Sequence, residues 1–488
     1  MRDTLSFYLN GELKEVRGAS PTKTLLRYLR EDEKLCGTKE GCAEGDCGTC
    51  TVTVSTLTRD GTVKREAINA CIRFLPSLEG TAITTVEGLA DDSSAPHHVQ
   101  SEMMEQNGSQ CGFCTPGFIM SLHTAYRNRA ALSLSSANDA LAGNLCRCTG
   151  YGPILKAAEN VGIAAKAADQ SEEDRIELEQ LRSLDHKDLV QLDSGDARAF
   201  LPVNSDQLAD IYVEHPYATL VAGATDVGLW VTKMHRGLST IIFLNRVHDL
   251  TQIERKDREL IIGSGVTYSD AIDVLAKEYP DLGELMRRIG ALQVRNAGTI
   301  GGNIANGSPI GDMPPALIAL GANLVLRQAD QRRTIPLEDF FLDYGKQDRK
   351  PGEFVEAVCV PLTTTADALR CYKISKRFDQ DISALCGCFN IRVKNDLVEA
   401  AVIAFGGMAG TPKRARSVEA ALVGKKWDRA SVELAMQEFA KDYTPMTDMR
   451  ASAGYRLRAA QNLLLKYFIE MQTSLAETRL VGHGNTFL

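Results

Sequence analysis

The sequence predicts a multidomain α+β protein. Three observations carry this: a strand hairpin with a cysteine-rich loop at the start, a helical stretch after it, and mixed strand and helix patterning beyond an acidic break. At 488 residues the chain is too long for one core, and roughly three or four domains are expected.

The elements follow in order. Ser6–Leu9 and Leu13–Val16 flank Asn10-Gly11, a type I′ turn signal, and read as a hairpin. Leu25, Leu26 and Leu29 stand at helical spacing before the cysteine loop. Strands are expected at Thr51–Val54 and Ala82–Val86, so residues 1–87 form a small α+β domain. Residues 88–165 read as a helical bundle with cysteines at helix ends, Thr115 capping a helix that has Pro116 at its first position. Residues 166–195 are acidic with little apolar periodicity and are expected to be a linker. A strand running into a Gly-rich turn over 220–226 and strands at 241–244 and 260–265, with helices over 268–290, make a domain at 196–366. A last α+β lobe is expected at 367–478, with the strand Ala400–Phe405, helices at 416–422, 430–441 and 450–470, and a tail at 479–488.

Composition is ordinary for a globular protein, with 44% hydrophobic and 24% charged residues. The net charge is −8, and nothing favours nucleic acid or an anionic membrane. The first residues lead directly into strand-like alternation with no apolar signal region, and no run of about 18 apolar residues occurs. A cytoplasmic location without membrane contact is the expectation.

Thirteen cysteines without a secretory signal point to metal ligation or buried thiols. Eight fall into two sets. Cys42, Cys47, Cys50 and Cys71 read C-x4-C-x2-C-x20-C, the plant-type pattern for a two-iron, two-sulfur cluster. Cys111, Cys114, Cys146 and Cys148 read C-x2-C-x31-C-x-C. The first set suits iron–sulfur better than zinc, which favours paired knuckles. Glycines 41, 45 and 48 are expected to take positive φ and let backbone N–H groups reach the sulfurs. By pattern alone, the second set leaves a zinc knuckle or a redox C-x-x-C open. Cys359, Cys371, Cys386 and Cys388 lie in apolar surroundings and read as packing; Cys36 falls outside the ligand spacing. Two Gly-rich segments, Leu220–Val227 and Gly298–Ala305, could cradle phosphate or be ordinary turns. Neither has the G-x-G-x-x-G spacing of a Rossmann site.

Gly37–Gly48, Gln110–Gly117 and Asn144–Tyr151 resemble the signatures of the molybdenum hydroxylases, the xanthine oxidase family. The resemblance implies a β-grasp 2Fe-2S ferredoxin domain, a helical-bundle 2Fe-2S domain, an α+β FAD-binding domain of the vanillyl-alcohol-oxidase/PCMH type and a C-terminal α+β flavoprotein lobe. It implies that all eight cysteines of the two sets ligate clusters, and that Gln110 approaches the pterin of a molybdenum cofactor on a neighbouring domain. It also implies FAD contacts at Leu220, Val221, Ala222, Gly223, Ala224, Thr225, Asp226 and Val227. Further contacts are implied at Ile289, Thr299, Gly302, Asn303, Asp312, Val355 and Lys373, Asp312 accepting from a ribityl or ribose hydroxyl. Arg377, Phe378, Asp379, Gln380, Asp381 and Tyr344 are candidates for NAD⁺ contact.

The family's molybdopterin-binding domains are not in this sequence. The resemblance therefore implies the iron–sulfur/FAD small subunit of a xanthine dehydrogenase. Electrons would pass from molybdenum on a large partner subunit through two clusters to FAD and NAD⁺, in a heterotetramer of two small and two large subunits. No catalytic acid or base is expected on this chain. The alternatives are the equivalent subunit of an aldehyde or CO dehydrogenase, or a free-standing iron–sulfur flavin reductase.

Overall fold

The computed structural model describes residues 2–90, 95–195, 197–362, 368–378, 380–473 and 478. The chain forms two compact units. The first comprises the described residues up to His248 together with Ala291–Gly298; the second comprises Asp249–Gly290 and the described residues from Thr299 onward.

The first unit opens with the expected hairpin, Thr4–Leu9 paired antiparallel with Glu12–Arg17. Asn10 and Gly11 both take positive φ (50° and 84°), as a type I′ turn requires. Thr4–Leu9 also pairs in parallel with Ala82–Thr84, which lies beside Thr51–Leu57 and then Val63–Asn69. The short helix Leu25–Arg27, running on into a π-turn over Tyr28–Asp32, buries Leu25, Leu26 and Leu29 with Phe7, Val52 and Phe74. This is the β-grasp arrangement.

Helices His98–Glu105, Thr115–Arg127, Leu134–Leu141 and Gly152–Ala167 then bury Val99, Phe118, Leu122, Ile154 and Val161 in a core of their own. Cys114, not Thr115, is the cap residue of Thr115–Arg127. The Thr115 hydroxyl lies 2.7 Å from Ser109 Oγ instead.

The expected linker is largely structured. Ser171–Ser183 is a helix with Glu172, Glu173 and Asp174 in its first turn, where carboxylates complement the helix dipole. Apolar periodicity missed it because charge anchors it. Arg65 pairs with Asp174 (2.6 Å) and Glu177 (2.5 Å), and Arg127 and Arg129 also reach Asp174. The expected boundary at 195/196 falls inside a hairpin, since Val190–Ser194 pairs with Ala197–Leu201. That hairpin continues into a sheet with Thr240–Phe243 and Thr219–Val221. Val190, Leu201, Val221 and Phe243 share one core with the β-grasp domain.

In the second unit a five-stranded antiparallel sheet runs in the order Ile253–Lys256, Glu259–Gly263, Phe354–Pro361, Asn323–Gln328, Gln331–Pro336. Helices Tyr268–Glu278, Pro280–Arg287, Ile300–Asn306 and Met313–Ala319 pack on it. The last lobe is a sheet of Leu369–Ile374, Leu385–Lys394, Leu397–Gly406 and Lys413–Arg414. It is covered by Arg416–Leu422, Arg429–Met436, Phe439–Asp442 and Ala453–Glu470. Cys359, Cys371, Cys386 and Cys388 are buried in these sheets, as their surroundings implied. Among the described residues no helix is long and apolar enough to cross a membrane.

Arg65→Ala should loosen Ser171–Ser183, which Arg127 and Arg129 still hold, with a loss of about 1.5–3 kcal/mol for hydrogen bonds to charged partners; faster amide exchange confined to that helix is the readout. Burial opposes the Asp174 charge, but the Arg129 hydrogen bond and the fields of Arg65 and Arg127 hold its carboxyl below the usual 3.8. A depressed folded pKa contributes stability above the unfolded value and loses it as pH falls through the folded one. The helix should therefore stay docked at neutral pH and release only below about pH 4, with no loss between pH 5 and 8.

Candidate functional site

The loop Gly41–Cys50 has no helix or strand of its own, so its polar groups are satisfied in other ways. Cys42 Sγ accepts the backbone N–H groups of Glu44 (3.5 Å), Asp46 (3.3 Å) and Cys47 (3.4 Å). Gly45 and Gly48 take positive φ, but Gly41 does not, and Ala43 (54°) supplies the third left-handed residue. Gly41 is needed for closeness instead, since a Cβ there would lie 2.8 Å from Cys47 Sγ. The Cys42 side chain hydrogen-bonds to those of Cys47 and Cys71, and Cys71 to that of Cys50, so the four are linked pairwise in a chain. Shared hydrogen bonding from Cys47 and then Cys71 holds Cys42 far below an ordinary thiol.

In the second set the Cys111 thiol bonds to Cys148 and Cys114 to Cys146. Cys111 and Cys148 are exposed, Cys114 is half-buried and Cys146 is buried. Cys146 Sγ accepts the Thr149 hydroxyl at 3.2 Å, and its N–H donates to Tyr151 Oη at 3.1 Å. Burial, reinforced by the Cys146 thiol, pushes Cys114 up to about 12; coordination reverses that cost because a bound thiol is deprotonated outright. Among the described residues no three His, Cys, Asp or Glu side chains converge as a single metal ion requires. The sulfurs meet in pairs, which fits a two-iron core better than one ion.

The two cysteine loops are bonded to each other. Leu145 N–H donates to Cys47 O at 3.0 Å, and Asn144 Nδ2 donates to Gly48 O at 3.0 Å. Gln110 is exposed beside Cys111.

In the same unit, Leu220–Val227 runs from the strand Thr219–Val221 into the helix Val227–Thr232. Gly223 lies against the Ala297 carbonyl, where a Cβ would come within 1.7 Å, and Ala224 takes positive φ (60°). Asp226 is exposed and accepts Trp230 Nε1 at 3.0 Å. The helix Val227–Thr232 rests on the first cysteine set, with the Thr232 hydroxyl donating to Ala43 O at 2.8 Å.

The remaining flavin candidates belong to the second unit. Thr299 Oγ1 accepts Gly302 N–H at 3.0 Å and caps Ile300–Asn306. Asn303 Oδ1 is buried with no partner. A buried acceptor left so is costly unless a ligand donor meets it, and a flavin nucleotide carries such donors. Asp312 has partners within the protein. Lys373 Nζ donates to its Oδ2 at 2.6 Å and Ser383 Oγ to its Oδ1 at 2.6 Å, so both carboxylate oxygens are engaged. Lys373 is itself 2% exposed in its side chain and also donates to Ser383 Oγ at 2.9 Å. Val355 is buried in the sheet, and Ile289 is half-buried against the same core.

Of the nucleotide-acceptor candidates, Tyr344 is 74% exposed, and Phe378 is backed by Arg287 and Arg288 at 5.2 and 4.7 Å. Asp381 ties its own loop, accepting the N–H groups of Lys376 (2.9 Å) and Arg377 (3.2 Å). Asp379 lies outside the described residues. Sequence reasoning missed Ser383 and Tyr268. Burial, with the Asp312 charge, keeps the unpartnered Tyr268 hydroxyl protonated well above its usual range. In sequence, Tyr268 reads only as packing at a helix start, and nothing marks Ser383.

Four family models match along the chain: a 2Fe-2S iron-sulfur cluster binding domain (residues 7–75), a [2Fe-2S] binding domain (85–159), an FAD binding domain in molybdopterin dehydrogenase (195–363) and a CO dehydrogenase flavoprotein C-terminal domain (370–471). These domains define an iron–sulfur flavoprotein. Xanthine dehydrogenase from Emericella nidulans is 33% identical over 90% of this chain and 36% of its own length. That from Drosophila subobscura is 30% identical over 98% and 40%. The chain thus spans less than half the length of these relatives. Among solved structures, carbon monoxide dehydrogenase from Hydrogenophaga pseudoflava is 26% identical, with a TM-score of 0.52 over 55% of this chain and 93% of its own. Quinoline 2-oxidoreductase from Pseudomonas putida 86, at 22% identity and TM-score 0.51 over 55% and 94%, shares the fold. The chain belongs to the molybdenum hydroxylases, a family of oxidoreductases, as their iron–sulfur and FAD-binding electron-transfer portion.

Asp312→Ala leaves the Lys373 ammonium buried without its counter-charge, a change worth on the order of 3–5 kcal/mol. A lower melting temperature and reduced flavin content with iron unchanged are expected from absorbance and iron analysis.

Proposed function

We propose that this chain is the iron–sulfur/FAD subunit of a xanthine dehydrogenase, acting in the cytoplasm beside a large molybdopterin-binding subunit, two copies of each. When bound, the clusters carry single electrons and the flavin couples them to two-electron chemistry, so that oxidation of hypoxanthine and xanthine to urate on the partner ends at NAD⁺.

The observation that carries the reading is the hydrogen-bonded junction of the two cysteine sets, Leu145 N–H on Cys47 O, with the helix Val227–Thr232 resting on the first set. That order suits a relay. Cys111 and Cys148 lie exposed with Gln110 alongside, accessible to a donor. Cys50 and Cys71 are buried, which keeps water from the inner set and lets surrounding dipoles tune it. In the first unit, Leu220–Val227 offers backbone N–H groups suited to a phosphate of FAD; in the second unit, taken by itself, Thr299–Asn303 offers the unpaired Asn303 oxygen to a flavin donor. Lys373 of the last lobe, held in place by Asp312 of the FAD-binding domain and by Ser383, would set an oriented ammonium donor where these two domains meet. Phe378 and Tyr344 offer exposed rings for the acceptor nucleotide.

The xanthine dehydrogenase relatives support xanthine, a purine, as the substrate. The likeness to carbon monoxide dehydrogenase supports a second reading, the equivalent role in another molybdenum hydroxylase. Purification with native partners, metal analysis and assays with xanthine and NAD⁺ separate these. Molybdenum in a larger partner with NAD⁺-linked xanthine oxidation supports the first. Activity on CO or aldehydes alone supports the second, and iron and FAD with no molybdenum partner overturns both in favour of a free-standing reductase.

Cys148→Ser should abolish one of two cluster signals in electron paramagnetic resonance and stop flavin reduction by the substrate, while flavin reduction by NADH persists. Unchanged substrate-driven flavin reduction would refute the wiring.

A further inference from the structure

The helix Leu292–Ala297 comes from the flavin-domain sequence, yet it belongs to the first unit. It carries Gln293, which is 1% exposed. Gln293 Nε2 lies 3.0 Å from Asn144 Oδ1, 3.2 Å from Thr51 Oγ1 and 3.3 Å from Ser121 Oγ. Two of these neighbours adjoin the cysteine sets: Thr51 follows Cys50, and Asn144 precedes Leu145 and Cys146. Asn144 donates in turn to Gly48 O (3.0 Å) and Thr51 Oγ1 (3.3 Å) and accepts from Ser121 Oγ at 2.7 Å. Gln293 Oε1 has no hydrogen-bond partner and is pressed towards Gly143, where a Cβ would lie 1.9 Å from it. A position filled only for packing would be apolar; here a buried amide is kept with one of its atoms unpaired. At the far end of the same helix Asn296 Nδ2 donates to Ala67 O at 2.9 Å, and the Ala297 carbonyl meets Gly223.

We propose that Gln293 is a positioning residue for electron transfer between the two clusters. It seats the strip Gly143–Leu145 against the strip Cys47–Thr51 and so maintains the Leu145 N–H to Cys47 O bond. That bond joins one cluster ligand, Cys47, to the residue beside another, Cys146. One electron leaves the reduced cluster and enters the oxidised one, with no bond broken and no proton moved. The proposal rests on the two-cluster reading above.

The test uses the full chain with clusters and flavin in place. Two cluster signals in the unaltered protein establish the underlying reading, and their absence would overturn that reading itself. Gln293→Leu removes the amide at similar volume, and Gly143→Ala disturbs the same contact from the opposite side. Both should keep iron and flavin content. Both should change the spin–spin interaction between the reduced clusters and slow inter-cluster equilibration by roughly tenfold to a hundredfold, the upper figure being the cost of about a 1 Å misplacement of reacting groups. Should one variant fail to fold, the other decides. Unaltered spin coupling and equilibration in a folded, fully loaded variant, with only the melting temperature lowered, would overturn the proposal.

Discussion

The first unit depends on mutual satisfaction of two loops that have no regular structure. A cysteine loop that wraps a cluster points its sulfurs and many N–H groups inward and leaves carbonyls facing away. Buried carbonyls without partners are costly. Here Cys47 O and Gly48 O are met by Leu145 N–H and Asn144 Nδ2 from the other cysteine domain. The β-grasp domain and the helical domain are therefore not independent beads. Close approach follows: Gly48 takes φ of 69°, and a Cβ there would lie 2.1 Å from Gly143 O. Only a bare backbone fits between these strips.

The flavin-type sequence contributes to both units. Its first part shares a core with the β-grasp domain through Val190, Leu201, Val221 and Phe243. Its helix Val227–Thr232 bonds to the cysteine loop through Thr232 and Ala43. Apolar packing thus places the candidate phosphate loop on the first cysteine set, and one hydroxyl fixes its register. An electron relay needs this kind of rigidity, because coupling depends on separations that packed interiors hold and solvated linkers do not.

In the second unit, the buried group Lys373–Asp312–Ser383 plays the corresponding role. An ion pair taken out of water stabilises little by itself, because desolvation offsets most of the attraction. Its value is orientation: each partner's hydrogen bonds hold the other, and Ser383 bonds to both.

Much of this was legible in sequence. The first set of four candidate cysteines is legible because a metal cluster demands a fixed residue type at fixed spacing, the second set only through the family resemblance, and the Asn10-Gly11 hairpin because positive φ admits few residues. The buried cysteines, the helical bundle and the last lobe followed from apolar periodicity. The helix Ser171–Ser183 did not, since ion pairs from Arg65, Arg127 and Arg129 anchor it and those arginines are remote in sequence. The hairpin Asn323–Pro336 carries Arg327, Arg332 and Arg333, whose partners Glu353 and Glu356 appear only once the chain is folded. Ser383, Tyr268 and Gln293 bear no local mark. By itself the sequence determined which residues are candidates to hold the clusters and that iron–sulfur and flavin domains are present, because ligand spacing and turn geometry are local. Only the tertiary structure decided that Asp312 serves Lys373, that a flavin-domain helix packs against both cysteine loops, and that those loops complete each other's hydrogen bonds, because burial and pairing across long separations exist only after folding.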